Sequence, residues 1–327
     1  MAMLTSAQLE EFAAEGYLVV DDVLDLTRDI NPVFDEYSAI LDGVARRLYS
    51  DGAITSLYED LPFTKRLTAV YGESGRLFNQ HFDLSLPFKG ITKDTPINRG
   101  AAMLALLTNE NLLDVAESVI GPEIFSCPVQ HTRTKLPKSA LGDNASNGQV
   151  GLTPWHQDHG VLLPEADHST VLTVWVPLSE STIENGALQV IPRSHAPGKL
   201  FDHCLGHPGG LRIPDSQLPP GEPRPLPMKP GSVLLMTQST VHSSLDNLTA
   251  DQVRISLDLR YQPTGQPTGR PVFAPAGFVA RSRSHPEAEL RDAARWRKNW
   301  LVLRDTLAEN TEPLVFNRWD ADSPVCA

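Results

Sequence analysis

Cysteine is scarce in this chain, and the few that occur do not form a recognisable pattern. The 327-residue sequence contains Cys127, Cys204 and Cys326, which are far apart and include no C-x-x-C pair. An odd and scattered set of cysteines predicts neither a disulfide framework nor a zinc ribbon. The expected compartment is therefore a reducing cytoplasm.

Long apolar runs and excess positive charge are also missing. No run of about 18 apolar residues occurs, so no membrane-spanning helix is expected, and no basic segment followed by an apolar one marks a secretory signal. Lys and Arg total 28 against 40 Asp and Glu, a formal net charge of −12. This balance argues against nucleic acid or an anionic membrane as a partner. We expect a small-molecule substrate and a monomer or homodimer.

The secondary-structure pattern changes near residue 123. Before it, apolar residues recur at helical spacing, and helices are predicted within 29–49, 61–71 and 109–120, with a strand at 17–20. After it, short β-branched runs alternate with turn residues at 124–134, 169–177, 187–191, 231–237 and 253–261. Such strands predict an antiparallel barrel or jelly roll. We expect one domain with a helical part (1–122), a jelly-roll core (123–265) and a C-terminal helical extension (266–327).

The tripeptide His156-Gln157-Asp158 is the strongest local signal for a metal site. Residues i and i+2 of an extended strand point to the same face, so this imidazole and carboxylate project side by side. They supply two of the three ligands of a 2-His-1-carboxylate triad, which holds Fe(II) and leaves coordination positions open. His242, which follows the apolar run at 232–236, is the predicted third ligand.

Two long loops flank these predicted ligands. Residues 135–153 are rich in Gly, Asn and Ser, and residues 202–230 are rich in Pro and Gly. Long loops in a compact domain are functional or disordered. We interpret both as lids over the site.

The order of motifs resembles the phytanoyl-CoA dioxygenase family of Fe(II)/2-oxoglutarate-dependent oxygenases. After His156 and Asp158 come T-V-W-V-P-L at 173–178 and E-N-G-A-L-Q-V-I-P-R-S-H at 184–195, then His242 and Arg254. The resemblance extends from about residue 4 to residue 261. It implies a double-stranded β-helix, a cupin-like jelly roll, wrapped by N-terminal and C-terminal helices. The implied cofactors are Fe(II), 2-oxoglutarate as cosubstrate, and dioxygen.

Arg254 is the predicted anchor of the cosubstrate. It follows His242 by twelve residues (254 − 242 = 12), and a turn between them would return it into the barrel. A guanidinium there can hold the far carboxylate of 2-oxoglutarate through two hydrogen bonds. Ser244 shares a face with His242 and is predicted to donate to the same carboxylate.

The resemblance assigns three further residues. Trp175 matches a position that lines the cosubstrate pocket, Thr134 is predicted to contact the cosubstrate, and Gln130 is predicted to contact the substrate. His195 lies in a Pro-Arg-Ser-His turn that the family has outside its metal site, so we interpret it as structural. Among the other histidines, His203 and His207 stand at i, i+4 spacing, but nothing around them supports a helical zinc pair.

The predicted function is oxidation of a small organic metabolite, with hydroxylation as the expected outcome and release of succinate and CO2. Desaturation, epoxidation or cyclisation by the same cofactors is an open alternative. A halogenase is disfavoured, because Asp158 fills a position that related halogenases leave to chloride. A non-catalytic, cupin-like binding protein is the alternative from another class, and it would be expected to lack a ligand or Arg254. Nothing marks a CoA-binding surface, so a secondary metabolite is a better expectation than an acyl-CoA.

Overall fold

A computed structural model describes residues 3–142, 149–196, 198–207, 210–312, 314–320 and 322–326. The α-helices in the described residues are α1 (Ser6–Glu15), α2 (Asn31–Ser50), α3 (Phe63–Ser74), α4 (Ala101–Leu107), α5 (Glu110–Ile120) and α6 (Ala293–Glu309). The strands are β1 (Tyr17–Val20), β2 (Glu123–Ser126), β3 (His131–Lys135), β4 (Leu172–Pro177), β5 (Leu188–Val190), β6 (Cys204–His207), β7 (Gly210–Arg212), β8 (Arg224–Leu226), β9 (Val233–Thr237), β10 (His242–Ser244), β11 (Arg254–Pro263) and β12 (Phe278–Ser282).

Two antiparallel sheets form the core of the fold. The larger runs in the order β1-β9-β4-β11-β2-β12, and the first half of β11 pairs with β3. The smaller sheet has the order β10-β5-β8, and β6 and β7 form a separate hairpin. This arrangement, with helices before and after the strands, confirms the predicted jelly roll.

The larger sheet is buried on both faces, which explains its near-continuous apolar strands. One face packs on the smaller sheet through a cluster that includes Trp175, Met236, Leu188 and Val190. The opposite face joins a cluster that extends from the N-terminal helices to α6. Burial on both faces leaves all six residues of β4 buried, so the strand shows no alternation of buried and exposed residues.

The first helix, α1, is capped at both ends. Thr5 caps α1, and its side chain and that of Gln8 form a reciprocal capping box. Gly16 ends the helix with φ 82°, and a Cβ there would lie 2.2 Å from Nδ1 of His195. Nε2 of His195 also contacts the Ala13 carbonyl at 3.0 Å. His195 thus packs against the end of α1, in agreement with its structural interpretation.

Several boundaries differ from the sequence prediction. The single strand predicted at 124–134 is two strands, β2 and β3, separated by residues 127–130. The predicted loop at 202–230 contains β6, β7 and β8, and within the predicted C-terminal helical extension (266–327) the α-helix begins only at Ala293. Helix α4 and strand β12 were not predicted. In the described residues no helix has the length and apolar character needed to cross a membrane.

Cys204 and Cys326 form a disulfide, with Cα atoms 5.4 Å apart. The sequence did not predict this bond, because the two residues are separated by 122 positions and no spacing rule connects them. Trp319 and Arg318, in the segment leading to Cys326, donate to the carbonyls of Gly160 and Leu162 at 2.7 Å each. The end of the chain is therefore attached next to the turn that follows the predicted ligand Asp158.

Candidate metal centre

His156 and His242 face each other across an isolated antiparallel bridge. The backbone N–H of each donates to the carbonyl of the other at 3.0 Å, and their ring centroids are 4.2 Å apart. Each Nδ1 donates to a backbone carbonyl, that of Pro154 at 2.8 Å for His156 and that of Thr240 at 3.0 Å for His242. These bonds fix the tautomer and leave both Nε2 atoms as acceptors for a metal.

Asp158 begins a short 3-10 turn immediately after this bridge. Its ligand oxygen and the two histidine nitrogens lie within 4.8 Å of one another, close to the spacing of ligands that each lie about 2 Å from one ion. Among the described residues no second group of three His, Cys, Asp or Glu side chains has this arrangement. The three residues predicted as ligands are therefore adjacent and buried.

The protonation states suit a divalent cation. Burial, and next the neighbouring His242, lower the pKa of His156 well below its ordinary value, so the imidazole is neutral. Burial alone would raise the pKa of Asp158, but Arg260 and then both histidines lower it below its ordinary value. Two neutral nitrogens and one carboxylate are the donor set of a non-haem Fe(II) triad, so the residues fit iron.

The remaining histidines near the site have other partners. His203 accepts a hydrogen bond from the Gln157 backbone N–H at 3.0 Å and so supports the ligand-bearing segment from behind. His159 contacts Asp167 at 3.1 Å. His131 is paired with Asp83, with Nδ1 and Oδ2 3.0 Å apart. None of these three belongs to the metal-ligating group.

Alternate residues of β11 line the interior between the two sheets. Arg254, Asp258 and Arg260 border the cavity that contains the triad, and Ser256 lies on the same face of the strand. Nη1 of Arg254 donates to Oγ of Ser256 at 2.6 Å, whereas its Nε has no partner in the described residues. Burial lowers the pKa of Arg254 to about 10, but the guanidinium remains charged at neutral pH. Arg254 is thus a buried cation that faces the predicted ligands.

Trp175 packs against Arg254 directly, whereas Ser244 contacts the neighbouring Lys135. The guanidinium carbon of Arg254 is 5.3 Å from the ring centroid of Trp175, and Trp175 lines the triad cavity. Ser244 is two residues after His242 on β10, but its Oγ accepts from Nζ of Lys135 at 2.7 Å. Ser244 is therefore connected to the site through Lys135.

Thr134 does not occupy its predicted position. In the β3–β11 pairing it lies opposite Ile255, on the face that packs against the helices, where the adjacent Thr132 contacts the Tyr37 hydroxyl. This placement contradicts the prediction that Thr134 contacts the cosubstrate. Gln130 is buried as well but does not border the triad cavity, so the geometry gives its predicted role no support.

The inward face of β3 instead carries His131, Arg133 and Lys135, which sequence reasoning did not place in the site. Lys135 lies opposite Arg254 in the register. Arg133 forms an ion pair with Asp258 at 2.7 Å. Every second residue from Arg254 onward points inward on β11, so the sequence could have identified that inward face. On β3 both faces are polar, so the sequence pattern does not show which face points inward.

Two cavities adjoin at Arg133. The triad cavity has a free volume of about 20 Å³, enough for about one water molecule, so its lining side chains must move to admit a keto acid. A second cavity of about 300 Å³ also borders Arg133 and is lined by polar and apolar side chains, which are Asn79, Gln80, Asp83, Leu86, Pro87, Phe88, His131, Arg133 and Gln149. Residues 143–148 of the predicted lid at 135–153 lie outside the described residues, and its role as a lid stays a prediction.

The fold and the site together define a class, the jelly-roll proteins that carry a 2-His-1-carboxylate metal triad between their sheets. The sequence model for phytanoyl-CoA dioxygenase (PhyH) matches residues 12–256, most of the chain. The chain belongs to the phytanoyl-CoA dioxygenase family. The predicted family is thereby confirmed.

Individual relatives add detail. The chain is 33% identical over 190 residues to 1-deoxypentalenic acid 11-beta-hydroxylase of Streptomyces arenae, a match that covers 55% of this chain and 63% of that protein. The match thus spans less than two thirds of the relative's length. The solved structure of the non-haem monooxygenase ThoJ has a TM-score of 0.56 at 17% identity, covering 91% of this chain and 95% of ThoJ. EvdO2 of Micromonospora carbonacea, complexed with 2-oxoglutarate, has a TM-score of 0.50 at 19% identity, covering 80% and 92%. At these identities the structural likenesses concern the fold.

Proposed function

We propose that this protein is a dioxygenase that uses Fe(II) and 2-oxoglutarate to oxidise a small organic metabolite, with hydroxylation as the outcome. The observation that carries the proposal is the buried Arg254 beside the His156, Asp158 and His242 triad. A cupin-like binding protein would need neither a complete triad nor a buried cation aimed at it.

The charges around Arg254 support a dianionic cosubstrate. Arg254 and Lys135 are each 2% exposed and lie opposite each other on β11 and β3. Neither forms an ion pair with an acidic side chain among the described residues. Burying two cations together is costly unless an anion compensates them. The far carboxylate of 2-oxoglutarate would supply that charge, and Trp175 would wall it off from water.

The roles of the chain's own residues follow from these positions. His156, Asp158 and His242 would hold the metal, and Arg254 would orient the keto acid toward it. When bound, iron and 2-oxoglutarate would activate dioxygen for insertion of one oxygen atom into a C–H bond of the substrate, while the keto acid is converted to succinate and CO2. The side chains fix the reacting groups in position, and water is excluded by the two sheets.

The substrate would occupy the cavity of about 300 Å³ beside Arg133. This volume is at the small end of ligand pockets and suits a free metabolite better than an acyl-CoA. The relative that acts on 1-deoxypentalenic acid is consistent with a small secondary metabolite as substrate. Phe88 would contact its apolar part, while His131 and Arg133 offer polar contacts.

The test is turnover with a metabolite pool. Purified protein would be incubated with Fe(II), ascorbate and 2-oxoglutarate under air, and products gaining one oxygen atom would be sought by mass spectrometry together with succinate. The control is the His156→Ala variant in the same pool. We expect oxygen incorporation and succinate only with the wild type. Equal, low succinate in both proteins, together with a failure of the wild type to bind iron, would contradict the proposal.

A further inference from the structure

We propose that Arg260 is a positioning residue for the metal ligand Asp158, and that it holds the carboxylate so that a single oxygen is presented to the metal. This inference rests on the proposed function, since it concerns the same site. It adds to the triad and to Arg254 a residue whose role is to orient a ligand.

Arg260 and Thr173 form a cross-strand pair on β11 and β4. Nη2 of Arg260 donates to Oδ1 of Asp158, and the hydroxyl of Thr173 donates to Oδ2. The two donors are 5% and 2% exposed, so water does not compete for these bonds. Each oxygen of the carboxylate therefore has its own buried donor, and the two donors are neighbours on adjacent strands.

Arg260 is itself fixed from the opposite side. Its Nη1 donates to the carbonyl of Val129, in the segment that connects β2 and β3. A guanidinium is planar and its N–H groups have fixed directions, so the bond to Val129 also sets the direction of the bond to Asp158. A lysine at this position would have a single flexible ammonium and could not make both contacts in the same fixed geometry.

The two hydrogen bonds distinguish the oxygens of Asp158. Oδ1 is the oxygen nearer to His156, 3.9 Å from its Nε2, and accepts from Arg260, whereas Oδ2 accepts from Thr173. Rotation about the bond to a carboxylate is ordinarily soft. Here such a rotation would break both hydrogen bonds, so the carboxylate plane is constrained.

This constraint matters because a facial triad works through its open positions. Three protein ligands would leave the other coordination positions of a bound metal open for the cosubstrate and for dioxygen. A carboxylate that turned to bind through both oxygens would take one of these positions. Holding Asp158 to one oxygen therefore preserves the position at which a small gas molecule can bind.

The experiment measures that open position without turnover. Anaerobic protein is loaded with Fe(II) and 2-oxoglutarate, nitric oxide is titrated as a probe of the remaining position, and the complex is followed by EPR. Iron content and 2-oxoglutarate affinity are measured in parallel. At saturating iron we expect Arg260→Met to bind nitric oxide roughly 10- to 100-fold more weakly, the range over which removing the partner of a metal ligand lowers metal affinity or activity. Arg260→Lys, which keeps one charged donor, should recover part of the loss.

Arg270→Met is the matched control. Arg270 is also buried, at 1% exposed, but it donates to the carbonyl of Val161 and contacts none of the metal ligands. Loss of this buried guanidinium should leave nitric oxide affinity as in the wild type. If Arg270→Met weakens the affinity as strongly as Arg260→Met does, the effect is general and the inference fails.

Three further results would overturn the inference. The first is wild-type nitric oxide affinity in Arg260→Met with full iron content. The second is a loss of 2-oxoglutarate binding as large as that of Arg254→Ala, which would place Arg260 on the cosubstrate. If Arg260→Met does not fold, the third result is a wild-type affinity for nitric oxide in both Arg260→Lys and Thr173→Val. A wild type that binds no iron or no 2-oxoglutarate would instead contradict the proposed function.

Discussion

Lys135 and Arg254 lie directly opposite each other on β3 and β11, and both point into the interior of the barrel. Nζ of Lys135 donates to the Gly151 carbonyl at 2.8 Å and to Oγ of Ser244 at 2.7 Å. Gly186, with φ 91°, passes so close that a Cβ there would lie 2.4 Å from Cε of Lys135. The Asn-Gly motif at 185–186 thus makes room for this lysine, whose position beside Arg254 prepares the site for an anion.

Replacement of Arg254 should weaken cosubstrate binding and spare the metal. Loss of a charged partner from a buried carboxylate costs roughly 2–5 kcal/mol, which corresponds to about a 30-fold to several thousand-fold fall in affinity. Anaerobic titration of the Fe(II)–2-oxoglutarate charge-transfer band in Arg254→Ala would measure it. Arg254→Lys keeps the charge and should lose less. Equal affinities in Arg254→Ala and the wild type would remove Arg254 from the cosubstrate site.

The charge of Lys135 should make cosubstrate affinity depend on pH. Burial, and next the charge of Arg254, lower the pKa of Lys135 well below its ordinary value. Rising pH removes the proton, so the attraction for a carboxylate is lost and affinity falls. The same titration across a pH series in wild type and Lys135→Met tests this. We expect the 2-oxoglutarate affinity to change less with pH in Lys135→Met than in the wild type. An equal pH dependence in both proteins would assign it to another group.

Loss of any triad residue should abolish iron retention. His156→Ala, Asp158→Ala and His242→Ala each remove one of three adjacent ligand atoms, and the two remaining ligands bind weakly. Iron per chain after anaerobic desalting is the measurement, with circular dichroism to confirm the fold. His168→Ala is the control, since His168 is exposed and outside the triad. Stoichiometric iron in one of the three variants would exclude that residue as a ligand.

The buried His203 should make the metal-free protein less stable in mild acid. Burial lowers its pKa from 6.5 to about 4, although the hydrogen bond to the Phe201 carbonyl acts in the opposite direction. The ring nitrogen that accepts from the Gln157 backbone N–H is unprotonated. The unfolded chain therefore binds the proton more tightly, and stability is lost as pH falls from 6.5 towards 4. The difference of roughly 2.5 pKa units corresponds to at most about 3 kcal/mol. Urea unfolding should show a smaller acid-induced loss in His203→Phe; equal losses would contradict the prediction.

Reduction of the Cys204–Cys326 disulfide should loosen the end of the chain. The bond closes a loop of 122 residues, for which chain entropy predicts up to about 5 kcal/mol of stabilisation. Cys326→Ser should lower the free energy of unfolding by about 2–5 kcal/mol and accelerate hydrogen exchange at Trp319, whose ring contacts His203. Cys127→Ala, which alters the buried free cysteine, should leave exchange at Trp319 unchanged. Unchanged hydrogen exchange at Trp319 in Cys326→Ser would contradict the prediction, because the other contacts of this segment would then hold it in place without the disulfide.

The sequence by itself was enough to predict the family and to propose the three metal ligands. His156 and Asp158 are two residues apart, and this local spacing sets their common direction wherever the segment folds. His242 follows an apolar run, and Arg254 follows His242 at an interval that one turn between two strands allows. The jelly roll was also predictable, because alternating short strands and turns are a local pattern.

Only the tertiary structure decided which face of β3 enters the site. Both faces of that strand are polar in sequence, and both are buried, so periodicity alone could not choose between Thr134 and Lys135. The choice depends on the register of β3 with β11 and on the packing of Thr132 against Tyr37, 95 residues away. The bond between Arg260 and Asp158 and the disulfide joining Cys204 to Cys326 are decided in the same way. Each connects residues more than 100 positions apart, and such contacts are fixed by the packing of the whole chain rather than by any local preference.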